Sequence, residues 1–140
     1  MIRRSVRLAG DVHRAWSLFT GAATEWWPPS RRHLGDPESE VLIEAAGRFF
    51  ERARDGREAE LGRVTAWEPP DRLEMDFYPG TDAAHPTRVT VTFTADGDET
   101  VVEVTHGPGP ESAGLFVVRA PAYERSWEAV LSALRERCQR

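Results

Sequence analysis

The stretch from Gly62 to Tyr78, GRVTAWEPPDRLEMDFY, constrains the fold more than any other part of the chain. Arg63 to Trp67 leads into Glu68-Pro69-Pro70-Asp71, after which Leu73, Met75 and Phe77 alternate with Glu74, Asp76 and Tyr78. Two adjacent prolines remove two backbone donors and fix φ, so no strand runs through them. The segment therefore reads as strand, rigid turn, strand. Period-two alternation predicts Met75 and Phe77 on the buried face, with Glu74 and Asp76 as solvated charges on the other.

Similar patterns extend in both directions. Ile2, Arg4, Val6 and Leu8 share one face of a first strand. Gly10-Asp11 ends it, and Asp11 is suited to cap a short helix carrying Val12, Ala15, Trp16 and Phe19 at helical spacing. Trp26-Trp27-Pro28-Pro29 stops any helix there. Glu40 to Glu44 and Gly47 to Arg54 read as a hairpin, with Phe50 taken as inward. Arg88 to Thr94 and Thr100 to His106 alternate as two more strands, with Val89, Val91, Phe93, Val102, Val104 and His106 inward. A Gly/Pro connector, Gly107 to Pro110, then leads to Leu115 to Val118. A final helix is expected from about Pro121 to Arg137, with Pro121 in its first turn. Its stripe of Tyr123, Trp127, Val130, Leu131, Leu134 and Cys138 must lie on something, and the antiparallel sheet is the surface large enough.

At 140 residues this is one domain, long enough to bury a core without staples. The net charge of −5 and pI near 5.4 argue against nucleic acid, which demands a basic face. All 18 basic residues are Arg, so neither a Schiff base nor a lysine general base is available. Cys138 stands alone and excludes an internal disulfide, which fits a reducing compartment. No segment approaches the roughly 20 apolar residues of a membrane span. A cytoplasmic protein with no membrane partner is expected. His13, His33, His85 and His106 lack ligand-type spacing, and no phosphate-binding loop, nucleotide fingerprint or nucleophile elbow occurs, so neither metal nor cofactor is expected.

The order of these elements resembles the helix-grip, or START-like (SRPBCC), superfamily, and more closely its branch named after the activator of Hsp90 ATPase. The residues that carry the resemblance are Gly62-Arg63-Val64 with Trp67 to Leu73, Thr87 to Phe93, Thr100 to His106, and Tyr123 with Trp127. Trp26-Trp27-Pro28 followed by His33 resembles a bacterial subgroup. The resemblance implies an α+β helix-grip fold over residues 1–140. A curved antiparallel sheet of six to seven strands wraps a long C-terminal helix, short helices follow the first strand, and a cavity lies between sheet and helix. Ser126 departs from the Gly that commonly precedes the helix Trp, and Gly107 to Pro110 replaces an aromatic segment.

The function implied is binding of a small, largely apolar molecule in that cavity, with Trp27, Phe50, Met75, Phe77, His106, Tyr123 and Trp127 as ligand-binding residues. His106 and Tyr123 are the polar groups among them. Each has a plain structural alternative: a histidine bonded to backbone at a strand end, or aromatic core packing. Trp27 and His33 are read either as a rim over the cavity mouth or as a core anchor and an exposed histidine. No covalent catalysis is expected. A cyclase- or aromatase-like enzyme using His106 or Tyr123 for proton transfer is the second reading. A chaperone-binding module is the third, and the co-chaperone's further domain has no room in 140 residues. A homodimer is left open.

Overall fold

The computed structural model describes residues 1–140. Seven strands form one antiparallel sheet: β1 (Ile2–Ala9), β2 (Glu40–Ile43), β3 (Arg48–Arg52), β4 (Glu58–Glu68), β5 (Arg72–Phe77), β6 (Thr87–Asp96) and β7 (Glu99–Pro108). Their spatial order is β1-β7-β6-β5-β4-β3-β2, so every neighbour but β1 is a sequential hairpin partner. Two short helices, α1 (Val12–Gly21) and α2 (Ala23–Trp26), and a 3-10 turn at Pro29–Arg31 follow β1. The long α3 (Ala113–Cys138) closes the chain and buries the expected stripe from Tyr123 to Cys138 against the curled sheet. This is the helix-grip architecture. No helix is long and apolar enough to cross a membrane.

Local chemistry accounts for the elements. The Asp11 carboxylate accepts from the Arg14 amide at 2.9 Å and caps α1. Helix α1 then lays Ala15, Trp16 and Phe19 on the sheet. Trp67, from the strand before the Pro-Pro turn, meets Trp16 edge-on at 5.0 Å, and Phe93 meets the same ring at 5.2 Å. A bulge at Thr65 shifts the register between Val64 and Ala66, which lets Val64 pair with Met75 and Trp67 with Leu73. Gly62 is required by closeness: a Cβ there would sit 2.3 Å from the Asp76 carbonyl oxygen. Arg4, the basic residue on the inner face of β1, is explained by α3, whose Glu124 and Glu128 lie 3.5 and 3.3 Å from its guanidinium.

Two expectations need correction. Helix α3 begins eight residues before Pro121, so Leu115 to Val118 form its first turns and Pro121 lies inside it. A proline at that point deprives the Val117 carbonyl of its helical partner. Both residues face water, and Val117 is 72% exposed, so water replaces the missing donor. The second correction concerns β3. Phe50 lies on the outer face, under the Arg48 guanidinium at 3.8 Å, while Phe49 and Glu51 point inward. Phe49 and Phe50 are both apolar, so alternation alone does not choose the inward one, and taking Phe50 inward places Glu51 outward. It is buried because it holds a loop, as described below.

Candidate functional site

Much of the interior between sheet and α3 is packed with buried side chains. Met75, between Val64 of β4 and Val89 of β6, is 3% exposed and packs in the continuous core. Trp127 is likewise buried, and its indole N–H donates to His106 Nδ1 at 3.0 Å.

That bond decides the chemistry of His106. An indole nitrogen is a donor only, so Nδ1 is the acceptor and carries the lone pair. On the other side, Nε2 lies 2.8 Å from Thr87 Oγ, which itself donates to the Phe77 carbonyl at 3.0 Å. The Thr87 proton is thus committed, and Nε2–H donates to its oxygen. His106 is held as a neutral Nε2–H tautomer among Phe77, Phe116, Tyr123 and Trp127, with ring centroids from 4.3 to 6.1 Å away. Burial pushes its pKa down to about 3. Its lone pair is occupied, so this imidazole is a structural hub rather than an available base.

The space that remains is a cleft of about 230 Å³ at one end of the grip. Phe49, Leu61 and Phe77 line it from the sheet, Arg119, Ala122, Tyr123 and Ser126 from α3, and Trp27 with Ser30 to His33 from the segment after α2. Pro79 and Gly80, just past β5, complete it. Of the residues expected from sequence, Trp27, Phe77 and Tyr123 line this cleft. Met75, His106 and Trp127 lie deeper in the packed core, and Phe50 is on the far side of the sheet. His33 lies at the rim and is exposed.

The cleft is built by specific anchors. Tyr123 donates its hydroxyl to the Pro79 carbonyl at 2.8 Å, and burial raises its pKa. Gly80 adopts φ +83°, and a Cβ there would lie 2.6 Å from the Tyr123 hydroxyl. Arg32 is wholly structural: it donates to the carbonyls of Thr24, Trp27 and Ser39. Glu51 is the second anchor. It accepts from the His33 amide at 2.7 Å, the Leu34 amide at 3.2 Å and the Ser39 hydroxyl at 2.9 Å. These bonds fix the loop that carries Arg31 and His33. The Asp36 carboxylate, which accepts from the backbone amides of Arg54 and Glu38 and from the Arg54 side chain, is held at a pKa of about 2.

Phe49, Leu61, Arg31, Arg119 and Ser126 were not expected as site residues. One signal was available for α3, because Arg119, Tyr123 and Ser126 recur at i, i+4 and i+7 on one face. For the Arg31 loop, sequence offers only the prolines before it.

Solved structures resemble this one closely. The self-sacrificing resistance protein CalC from Micromonospora echinospora is 25% identical, with a TM-score of 0.74 over 98% of this chain and 92% of that one. An anthrahydroquino-Gama-pyrone synthase, Txn09, is 29% identical, with a TM-score of 0.53 over 76% of this chain and 75% of its own. A protein from Nitrosomonas europaea is 14% identical, with a TM-score of 0.67 over 96% of this chain and 91% of its own, and it supports the fold alone. No curated protein matches the chain. The family model described as Activator of Hsp90 ATPase homolog 1-like protein matches residues 10–139, and the chain belongs to that family.

Proposed function

We propose that this protein binds a small, largely apolar molecule in the cleft between the end of the sheet and α3. The observation that carries the reading is the wall of Trp27, Phe49, Leu61, Phe77 and Tyr123 around an open space of about 230 Å³. Binding sites are typically apolar clefts with a few placed polar groups, although those for drug-sized ligands run to about 300–1,000 Å³. The ligand is therefore compact, or it leaves part of itself outside. The adjoining groove past His33 and Gly80 is larger, at about 420 Å³, but it carries Glu60 and Asp82 and lacks the Trp27, Phe49, Phe77 and Tyr123 wall.

Holding is favoured over turnover. The likeness to a synthase raises an enzymatic reading, but His106 has its lone pair occupied by Trp127, and Tyr123 spends its proton on Pro79. A thermal-shift screen with compact aromatic and lipid-like compounds tests the proposal, with Trp27 indole resonances as the local probe. Stabilisation together with a shifted Trp27 signal is expected. If no compound moves either, the cleft is a packing defect and the proposal fails.

A further inference from the structure

The protein carries 23 acidic residues against 18 basic ones, yet no acidic residue lines the cleft. Its lining instead includes Arg31, Arg32, Arg119 and His33. Arg32 has its donors committed to backbone carbonyls. Arg31 and Arg119 form no ion pair and donate no side-chain hydrogen bond, while most other arginines are paired with carboxylates. Arg31 Nε is also buried without any partner. An unmatched buried donor on a cation costs well over 1 kcal/mol, and because the same guanidinium lines the cleft, an acceptor brought there by a ligand would meet an Arg with no partner of its own. The nearby acids do not supply one. Asp82 is engaged by His85 Nδ1 at 2.8 Å, and Glu60 flanks the adjoining outer groove past His33 and Gly80.

We infer that the cleft takes an anionic aromatic molecule, a compact aromatic carboxylate, whose ring lies between Trp27, Phe77 and Tyr123 and whose carboxylate is received by Arg31, with Arg119 at the mouth. The inference rests on the cleft being a ligand site. Arg is the side chain suited to this task, because its planar fork matches a carboxylate. Size agrees: an apolar cavity of about 150 Å³ holds benzene, and a bicyclic acid suits the larger space here.

The test compares 2-naphthoate with its neutral isostere 2-naphthamide, by calorimetry and by side-chain NMR of the Arg Nε–H and Trp Nε1–H groups. The acid is expected to bind about tenfold or more tightly than the amide, with a downfield shift of Arg31 Nε–H. Arg31→Gln should remove that preference. Arg119→Gln, at an exposed position, should reduce it only about threefold, an effect screened by salt. Equal binding of acid and amide to the wild type would overturn the anion assignment while leaving the cleft as a ligand site. So would an acid preference that survives in the Arg31→Gln/Arg119→Gln double variant. Binding of neither compound at millimolar concentration, with Trp27 unmoved, would bring down the ligand site itself and this inference with it.

Discussion

His106 makes the stability of this protein depend on pH in a calculable way. In the folded state its pKa lies at about 3, because burial disfavours the imidazolium and no carboxylate touches the ring. In the unfolded chain it returns to about 6.5. Above that value both states are neutral and the group contributes no pH dependence. As pH falls below 6.5, the unfolded state takes up a proton that the folded state refuses, so stability declines until about pH 3. Between pH 7 and pH 5 the linkage relation gives a loss of about 2 kcal/mol. That figure hardly changes for any folded value below about 4, since the interval is governed by the unfolded pKa. It is a large share of a typical net stability of about 5–15 kcal/mol. Urea unfolding followed by Trp fluorescence at pH 7, 6 and 5 measures it. The control is His106→Gln, whose side chain can still accept from Trp127 and donate to Thr87 but does not titrate. Wild type should lose about 2 kcal/mol over the interval and the variant far less. Equal losses in the two proteins would refute the assignment of the effect to His106. An imidazole seen by NMR to titrate near 6.5 in the folded state would refute the buried neutral tautomer.

Trp127→Phe removes the donor to Nδ1, and a loss of about 2 kcal/mol is expected. The freed lone pair also becomes easier to protonate, so the decline with acid should end at a higher pH, which the same unfolding series would show. Glu51→Gln weakens the acceptor of the His33 and Leu34 amides. It should cost about 2 kcal/mol and speed hydrogen exchange at those two amides while leaving β6 and β7 protected; unchanged exchange would mean the loop is held by Arg32 alone. Gly80→Ala meets both a positive φ and the Tyr123 hydroxyl, and a loss of about 1–2 kcal/mol with a shifted Tyr123 ring resonance is expected in denaturation and NMR.

Periodicity read most of the fold, because the sheet is half buried and its inner face repeats every second residue. Val89, Val91, Phe93, Val102, Val104 and His106 are all buried as alternation requires. It failed where one residue served two demands. At Phe49-Phe50 both side chains are apolar, and the deciding residue was Glu51, an acid buried because loop amides satisfy it. Pro121 misplaced the start of α3 because a proline that is normally a boundary is tolerated on a water-facing side of a helix. The site was less legible than the fold. Trp27, Phe77 and Tyr123 could be found as large inward aromatics, but separating them from Met75 and Trp127 requires knowing where packing stops. Alternation records which face a residue takes, not how far along the sheet the core is filled.

The place where packing stops also decides what can vary. Phe49, Phe77, Tyr123 and His106 form an unbroken run of ring contacts from the cleft into the core, with centroids 6.2 Å apart for Phe49–Phe77, 5.1 Å for Phe77–His106 and 4.3 Å for His106–Tyr123. Enlarging the cleft by trimming any of these rings would open a cavity in the core, at about 3–5 kcal/mol for a Phe-to-Ala change. The residues free to change cheaply are those that line the cleft without supporting the core: Ser30, Arg31 and His33 on the Glu51-anchored loop, and Arg119, Ala122 and Ser126 on the cleft-facing side of α3. On the proposed reading, ligand choice belongs to the loop and the helix face, and the sheet supplies an apolar floor that stability keeps fixed.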